Sequence, residues 1–316
     1  MNTHILSVDV EDWFHVLEWG GAEDRFGRLH WETLESRVVR NTERLLALFG
    51  EAGARATFFV LGWVAWKRPE LVRRIAEAGH EIASHSFWHE VVRRHTRDSL
   101  AADLGASKRL LEDVSGHPVR GFRAPGGSIT RETAWALDVL VEQGFAYDAS
   151  LNPGHSSHGG FATPYPGPHR LRCNAGELLE LPWSTLAVAG RRIPYAGGGY
   201  LRLLPLAALR RAIERSARAG RPTMVYVHPR EVDADQPRMP LPWRRRFKYY
   251  VGLKTTEAKL RALLREHRFV PAGAWLDAHA DTLSDRVFDV RAAAAAPPAS
   301  PDPRLVPPRP PIPVQG

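Results

Sequence analysis

The sequence predicts an α/β fold, in which the strands of a parallel sheet alternate with helices that cover it. Short apolar runs at residues 5–10, 56–62 and 80–83 are typical of buried strands. Between them, apolar residues recur at helical spacing over residues 35–53 and 69–78. Polar residues that could do chemistry follow several of the apolar runs directly, as they do where parallel strands deliver side chains to one face of a sheet.

Each element has a local signal of its own. Gly50 and Gly53 end the first helix and Gly79 ends the second, since glycine readily adopts the conformation that closes a helix. The same reasoning predicts the following segments: strand end 121–123, strand 145–148, strand 178–183, strand 223–229, and helices 98–114, 131–143, 205–219 and 255–266. Residues 151–170 read as a long solvated loop, and the irregular spacing of His155, His158 and His169 does not favour a second metal site.

The domain organisation follows from composition. The chain has 316 residues, of which 44% are hydrophobic and 25% charged, so it can bury a large core. We expect one domain over residues 1–290, with a C-terminal extension from about 230, and a disordered tail over 291–316. The tail is rich in Ala and Pro and cannot bury enough apolar surface to offset the entropy of ordering it.

Charge and cysteine content limit the functional classes. A single cysteine, Cys173, excludes an intramolecular disulfide and a cysteine-based zinc site, so a metal would need histidine and carboxylate ligands. The net charge is +8, but the basic residues are spread out except at residues 243–250, where a solvated helix face is favoured over a polyanion site. We therefore expect no nucleic-acid partner.

The N-terminus has no signal-peptide pattern, and no apolar run approaches the about 20 residues that span a bilayer. We expect a cytoplasmic protein without a transmembrane segment. This expectation leaves room for peripheral contact with a lipid-linked substrate. The sequence does not indicate an oligomeric state.

A pair of histidines provides the first indication of chemistry. His85 and His89 are four residues apart, directly after a predicted strand, so both imidazoles could bind one metal ion, although such a pair can also be structural. The first strand ends in carboxylates that could supply a third ligand. The alternation of side chains along a strand puts Glu11 on the face of Asp9, whereas a bend at the strand end would favour Asp12. Both alternatives stay open.

Five short motifs resemble those of the NodB-homology polysaccharide deacetylases, carbohydrate esterase family 4. The histidine pair, His85-Ser86-Phe87-Trp88-His89, matches the family's H-S/T-x-x-H motif. The others, in chain order, are Ser7-Val8-Asp9-Val10-Glu11-Asp12, Arg123-Ala124-Pro125, Leu181-Pro182-Trp183 and Val227-His228-Pro229. The resemblance implies a distorted (β/α)7 barrel, related to the TIM barrel, that binds one divalent metal, most commonly Zn2+.

The resemblance also implies roles for individual residues. Asp9 would be the general base, His228 the general acid, and Arg123 would pair with Asp9 and keep it ionised. His85 and His89 would hold the metal together with Glu11 or Asp12. A water bound to that metal would attack the acetyl group, because the metal lowers the pKa of the water.

Three further residues are expected to contact the substrate. Pro125 and Gly126 lie in the loop after the arginine, where the backbone amide near Gly126 could stabilise the oxyanion. Trp183 would line an acetyl or sugar-ring pocket, unless it is an ordinary core tryptophan. The implied partner is an N-acetylated glycan.

A narrower resemblance concerns the branch of this family found with exosortase and exopolysaccharide gene clusters. It rests on residues 9–14, 197–200, 228–231 and 236–238, together with the C-terminal extension. It implies N-deacetylation of a polysaccharide, or of its lipid-linked precursor, during exopolysaccharide biosynthesis. Two alternatives remain: an amidohydrolase of the cyclic-imide or allantoinase type on the same barrel, and a catalytically silent glycan-binding module.

Overall fold

The computed structural model describes residues 3–17, 28–154 and 160–291. The described strands are β1 Thr3–Val10, β2 Thr57–Val60, β3 Glu81–Ser84, β4 Gly121–Phe122, β5 Tyr147–Asp148, β6 His169–Arg172, β7 Glu177–Glu180, β8 Thr185–Val188, β9 Arg191–Pro194, β10 Met224–Val227, β11 Arg268–Val270 and β12 Val287–Asp289. The described α-helices are α1 Val38–Glu51, α2 Gly62–Lys67, α3 Pro69–Glu77, α4 Arg97–Ser115, α5 Trp135–Glu142, α6 Gly198–Leu203, α7 Leu206–Arg218, α8 Trp243–Tyr250, α9 Leu253–Glu266 and α10 Ala272–His279.

The main sheet confirms the predicted α/β class. Its strands follow the order β10-β1-β2-β3-β4-β5-β7-β6-β12, with β11 also pairing with β1. Every pair in this sheet is parallel except β6 with β7. No ladder joins β7 to β10 among the described strands, although the single bridge between Gly197 and Tyr226 adds a segment to the β10 edge.

The sheet is curved, and the side chains on its two faces pack into two separate hydrophobic cores. Leu6, Val8 and Phe58 belong to the larger core, which includes side chains from the surrounding helices. The residues that alternate with them in β1 and β2 point inward. They form a smaller core with side chains from β3, β5, β10 and α10, namely Ile5, Phe59, Ala83, Tyr147, Met224 and Trp275. Strands from distant parts of the sheet thus share an interior, as in a barrel-like arrangement.

The two ends of this interior differ. At the amino end of the strands, the first turn of α10 is fixed by hydrogen bonds from the Ala272 amide to Thr57 and from the Gly273 amide to Glu81. At the carboxyl end, several polar side chains converge. Helix α10 therefore covers the amino end of this interior, and the polar side chains lie at its carboxyl end.

Most predicted elements are present, together with several that the sequence patterns missed. The sequence patterns missed α2, which begins at the end of an apolar run and is too short for a clear helical period. They also missed the β8–β9 hairpin and strand β6, which begins inside the predicted 151–170 loop. His155 and His158 of that loop, and all of the predicted tail except Arg291, lie outside the described residues. No described helix combines the length and apolar character needed to cross a bilayer.

Candidate active site

The candidate active site lies where the carboxyl ends of β1, β3, β4 and β10 come together. Because these strands are parallel, the residues that follow them emerge at one edge of the sheet. Close contacts there join six of the residues that the sequence singled out: Asp9, Glu11, His85, His89, Arg123 and His228. All are buried except His228, which is partly exposed.

The histidine pair lies on a tight loop after β3. Ser86 and His89 have φ angles of 65° and 54°, a strained conformation for residues that carry a Cβ. Asp103 of α4 supports the loop by accepting the backbone N–H of Phe87 at 2.7 Å. The rings of His85 and His89 are 5.2 Å apart between centroids. Sequence reasoning missed Asp103, because an aspartate inside a helix gives no local signal of its distant partner.

Hydrogen bonding fixes the state of His85. Its Nδ1 lies 2.8 Å from the carbonyl oxygen of Arg123 and donates to it, which leaves Nε2 with an available lone pair. Burial lowers the pKa of His85 to about 4, so the ring is neutral near pH 7. A neutral imidazole with one nitrogen anchored is the form that ligates metals.

Glu11 is the carboxylate that reaches the histidines. The chain bends after β1, with the Glu11 amide bonded to the Asp9 carbonyl at 3.0 Å. The Glu11 carboxylate then lies 2.9 Å from His89 Nε2 and 3.0 Å from His228 Nε2. Burial favours the protonated form of Glu11, but the two imidazoles outweigh it and hold its pKa well below the usual range.

Asp12 points in a different direction. Its carboxylate accepts hydrogen bonds from Ser36 Oγ at 2.6 Å and from the backbone amides of Arg37 and Val38 at 2.9 and 3.1 Å. These groups surround the start of α1, so Asp12 caps that helix although it is far from it in sequence. The alternative in which a bend brings Asp12 to the histidines does not hold. The chain does bend after β1, but the bend turns Glu11 toward the histidines.

Asp9 and Arg123 form a buried ion pair. Arg123 Nη1 donates to Asp9 Oδ1 at 2.5 Å and to Ser7 Oγ at 3.1 Å, while its Nε donates to the Ala149 carbonyl at 3.2 Å. The guanidinium also lies 4.0 Å from the centre of the Phe59 ring. Arg123 is thus held on several sides, and it orients Asp9 with the other carboxylate oxygen 3.8 Å from His228 Nε2.

His228 has a carboxylate on each side of its ring. Glu11 lies 3.0 Å from Nε2, and Glu231 lies 3.5 Å from Nδ1 and accepts the His228 backbone N–H. Burial opposes the charged ring, but the two carboxylates outweigh it and raise the pKa of His228 to about 10. Glu231 is in turn paired with Arg202 at 2.9 Å. Sequence reasoning missed both residues, although a glutamate three residues after His228 is the spacing of a capping box.

The residues predicted to contact substrate lie together beside these groups. Pro125 and Gly126 are in a 3₁₀ turn, in which Gly126 and Gly127 have φ angles of 64° and 61°. A Cβ on Gly127 would lie 2.9 Å from the ring of Trp183, so the turn and the tryptophan are in close contact. Trp183 is half-buried and lies 5.2 Å from Tyr226, which lies 5.9 Å from His228.

The side chains of this site can be compared with the ligands that a divalent cation requires. Among residues 3–17, 28–154 and 160–291, no group of three or more His, Cys, Asp or Glu side chains is arranged as a metal site. The donor types nevertheless fit one. Glu11 Oε2 is buried and makes no aligned hydrogen bond, even though it lies 2.9 Å from His89 Nε2. Two imidazoles and a carboxylate with such an oxygen form a donor set suited to zinc.

Comparison with known proteins places this geometry in a family. Residues 29–146 match the family model described as "Polysaccharide deacetylase". Residues 29–146 therefore carry a polysaccharide deacetylase domain. The deacetylase match includes His85, His89 and Arg123. A second model, described as a domain of unknown function (DUF3473), matches residues 149–277 and includes His228.

Curated proteins match this chain over only part of their length. A peptidoglycan-N-acetylglucosamine deacetylase of Bacillus cereus is 27% identical over 123 residues, or 35% of this chain and 45% of the relative. A chitooligosaccharide deacetylase of Sinorhizobium fredii is 35% identical over 101 residues, or 32% of this chain and 44% of the relative. The matches thus span less than half the length of these relatives.

A solved structure shows the same fold over nearly the whole chain. It is a crystal structure from Mycobacterium smegmatis, described as that of a polysaccharide deacetylase. The two share 23% sequence identity and a TM-score of 0.58, over 91% of this chain and 94% of that one. The DUF3473 match begins at residue 149, whereas the sequence predicts an extension only from about 230, so the domain division stays a prediction.

Proposed function

We propose that this protein is a metal-dependent hydrolase that removes the acetyl group from N-acetylhexosamine units of a glycan. One observation carries the proposal. An arginine-held carboxylate, a histidine flanked by two carboxylates, and a histidine pair with a glutamate share the carboxyl end of a parallel sheet. Amide hydrolysis requires a base, an acid and a means of stabilising the oxyanion, and this arrangement can supply all three.

Asp9 is the proposed general base. Its Oδ1 is held by Arg123, so its Oδ2 is the oxygen that can accept a proton from the attacking water. Because Arg123 also binds Ser7 and the Ala149 carbonyl, it fixes the direction of Asp9.

His228 is the proposed general acid. Its raised pKa means that the ring carries a proton near pH 7 and can donate it to the departing amine. The partly exposed position of His228 gives a substrate access to Nε2. Glu231, bonded to the His228 backbone and 3.5 Å from Nδ1, keeps the ring in this orientation.

His85, His89 and Glu11 would hold the metal, and zinc is the proposed ion. When bound, a divalent cation there would polarise the acetyl carbonyl and make a water more acidic. The backbone N–H of Gly126 would donate to the oxyanion, since Pro125 has no N–H and that of Gly127 donates to the Ala124 carbonyl at 3.0 Å. Trp183, packed on that turn, would form one wall of the acetyl pocket and exclude water from it.

The biological setting is a further part of the proposal. The motifs that resemble the exosortase-associated branch suggest a glycan of exopolysaccharide biosynthesis, or its lipid-linked precursor, as the substrate. The relatives named as peptidoglycan and chitooligosaccharide deacetylases support N-acetylglucosamine as the sugar. The cytoplasmic location stays a prediction from the sequence.

The proposal is tested by acetate release from a panel of N-acetylated oligosaccharides. The full chain is assayed as purified, after treatment with a chelator, and after Zn2+ is added back. The matched variants are Asp9→Asn and Asp12→Asn, which change neighbouring carboxylates of the same segment. We expect acetate release that the chelator abolishes and Zn2+ restores, with Asp12→Asn active and Asp9→Asn inactive.

Each other outcome selects a different function. Ring opening of a cyclic imide, without acetate release from any glycan, would identify an amidohydrolase of the cyclic-imide type. Saturable glycan binding that is equal in the wild type and Asp9→Asn, with no turnover by either, would identify a binding module. Equal acetate release by both proteins would refute the assignment of the base.

A further inference from the structure

Helix α8 presents an exposed aromatic and basic surface. Trp243 and Phe247 are 75% and 55% exposed, the highest values among the large hydrophobic side chains that are described. They are four residues apart on the helix, so their rings lie on one face. Arg244, Arg246 and Lys248 are exposed beside them. These five residues are called the α8 surface below.

The α8 surface differs from other helices in the combination of side chains that it exposes. On α3 and α7, Arg74 and Arg210 pair with glutamates of neighbouring elements. Arg244, Arg246 and Lys248 make no salt bridge with any described residue, and α8 contains no acidic residue. Exposed arginines that make no salt bridge with a described residue occur on other helices too, such as Arg73 on α3 and Arg211 on α7. What distinguishes α8 is that it combines such cations with two exposed rings and no acidic side chain.

The position of α8 is fixed relative to the candidate active site. Arg202 donates to the carbonyls of Lys248 and Tyr249 at 2.8 and 2.7 Å, and to Glu231 at 2.9 Å. Glu231 is the residue that bonds to the His228 backbone. Two residues, Arg202 and Glu231, therefore connect the C-terminal end of α8 to the proposed general acid. This end of the helix lies at the same end of the sheet as the site.

We propose that the α8 surface docks on an anionic lipid bilayer. Tryptophan and phenylalanine rings partition into the boundary between headgroups and acyl chains, and arginine and lysine pair with lipid phosphates. A nucleic acid or an acidic glycan would satisfy the cations and stack on the rings, but only a bilayer offers an apolar phase that removes both rings from water. Moreover, α8 has no Asp, Glu, Asn or Gln side chain to accept hydrogen bonds from sugar hydroxyls. An anionic bilayer would therefore accommodate both the rings and the cations of the α8 surface.

Docking would give the proposed function a substrate at the membrane. If the function proposed above holds, a glycan still attached to a lipid would be presented to the site on the side of His228. Lipid binding itself needs no catalysis, so it can be measured whether or not the protein is a deacetylase.

The experiment is co-sedimentation of the full chain with vesicles of phosphatidylcholine, alone or mixed with phosphatidylglycerol. We expect binding to the mixed vesicles that weakens as salt is raised, and at least about tenfold weaker binding to the neutral ones. The double variant Trp243→Ser/Phe247→Ser should weaken binding by about tenfold or more. The matched control is Val188→Ser/Ile193→Ser, which removes two exposed apolar side chains from the β8–β9 hairpin and should bind as the wild type does.

The outcomes separate the two proposals. Acetate release from soluble oligosaccharides should be equal in the wild type and in the Trp243→Ser/Phe247→Ser variant, and thermal unfolding should confirm that both are folded. Vesicle binding that is equal in the two variants, or absent from the wild type, would overturn the docking inference. Binding to heparin or nucleic acid without binding to vesicles would assign the surface to a polyanion instead. Vesicle binding by a protein that releases no acetate would refute only the proposed function.

Discussion

Two pairs of buried carboxyl groups lie at the carboxyl ends of strands in this sheet, and their surroundings are opposite. Asp9 and Glu11 follow β1 and contact Arg123, His89 and His228. The second pair, Asp148 at the end of β5 and Glu180 at the end of β7, lies side by side on paired strands.

The second pair has neutral hydrogen-bond donors in place of cations. Ser150 Oγ donates to Asp148 at 2.5 Å and accepts the Ala124 backbone N–H at 2.7 Å, while Glu180 accepts the Leu151 N–H at 3.1 Å. Burial raises the pKa of Asp148 to about 6 and that of Glu180 well above its usual range. Glu11, equally buried, has its pKa held well below the usual range.

The difference shows that a strand end does not by itself make a carboxylate catalytic. Both pairs occupy the position at which α/β folds place chemistry, and both are desolvated. The imidazoles around Glu11 keep its pKa low, so that it stays ionised and available for metal binding, while Arg123 holds Asp9 in place. Without cations, the second pair retains a proton and serves instead to hold the loops that carry Ala124 and Leu151.

The largest expected effect comes from removing the charge of Asp9. Asp9→Asn should lower kcat/KM for acetate release by about 10²–10⁴-fold, the range that general acid–base groups contribute. Glu180→Gln, a change of the same kind in the second pair, should lower it far less. Steady-state kinetics on one N-acetylated oligosaccharide compare the two. Similar losses in both variants would mean that the two pairs do not differ in function.

The next effect concerns metal binding. Glu11→Gln should weaken Zn2+ binding by more than the about 10–100-fold that loss of an outer-sphere partner costs, because a ligand is removed. Isothermal titration of the metal-free protein with Zn2+ gives the affinity. Asp12→Asn is the matched control and should bind Zn2+ as the wild type does. Weaker binding in Asp12→Asn than in Glu11→Gln would reverse the assignment of the ligand.

The third effect is a pH dependence of stability. Asp148 has a pKa of about 6 in the folded protein, against an ordinary value of 3.8 in the unfolded chain, so the unfolded chain gives up this proton first as pH rises. The contribution of Asp148 to stability is therefore fully present below pH 4 and is lost as pH rises to about 6. The loss is on the order of 3 kcal/mol.

The variant that isolates this contribution is Asp148→Asn, which keeps an oxygen to accept from Ser150. Urea denaturation should show the variant and the wild type with similar stability near pH 4, and the variant more stable near pH 8. Parallel stability curves across this range would show that Asp148 is ionised in the folded protein, like the carboxylates of the first pair.

The smallest expected effect is a loss of stability when Asp12 is replaced, without the loss of Zn2+ affinity expected for its neighbour Glu11. Asp12→Ala removes the cap of α1 and should lower the free energy of unfolding by about 0.5–2 kcal/mol, whereas Asp12→Asn should lose less because asparagine also caps helices. Zn2+ affinity should be unchanged in both. A loss of affinity without a loss of stability would place Asp12 in the site.

Much of the fold could be predicted from local pattern. The run Ala56-Thr57-Phe58-Phe59-Val60 and the glycines after α1 and α3 report burial and chain reversal within a few residues, so β2 and its neighbours were predicted. The hairpin β8–β9 was not, because only four of its eight residues are buried or half-buried, and their burial depends on long-range packing. Exposed, basic strands of this kind have no clear alternation.

The sequence by itself determined that His85, His89, Arg123 and His228 follow strands of a parallel sheet, because order along the chain and the strand–helix alternation decide that. Only the tertiary structure shows that Glu11, and not Asp12, contacts the histidines. Their direction depends on a hydrogen bond from Glu11 to Asp9 and on the amides at the start of α1, which lie about 25 residues further along the chain. Side-chain direction at a strand end is set by partners that are distant in sequence, and no local pattern records them.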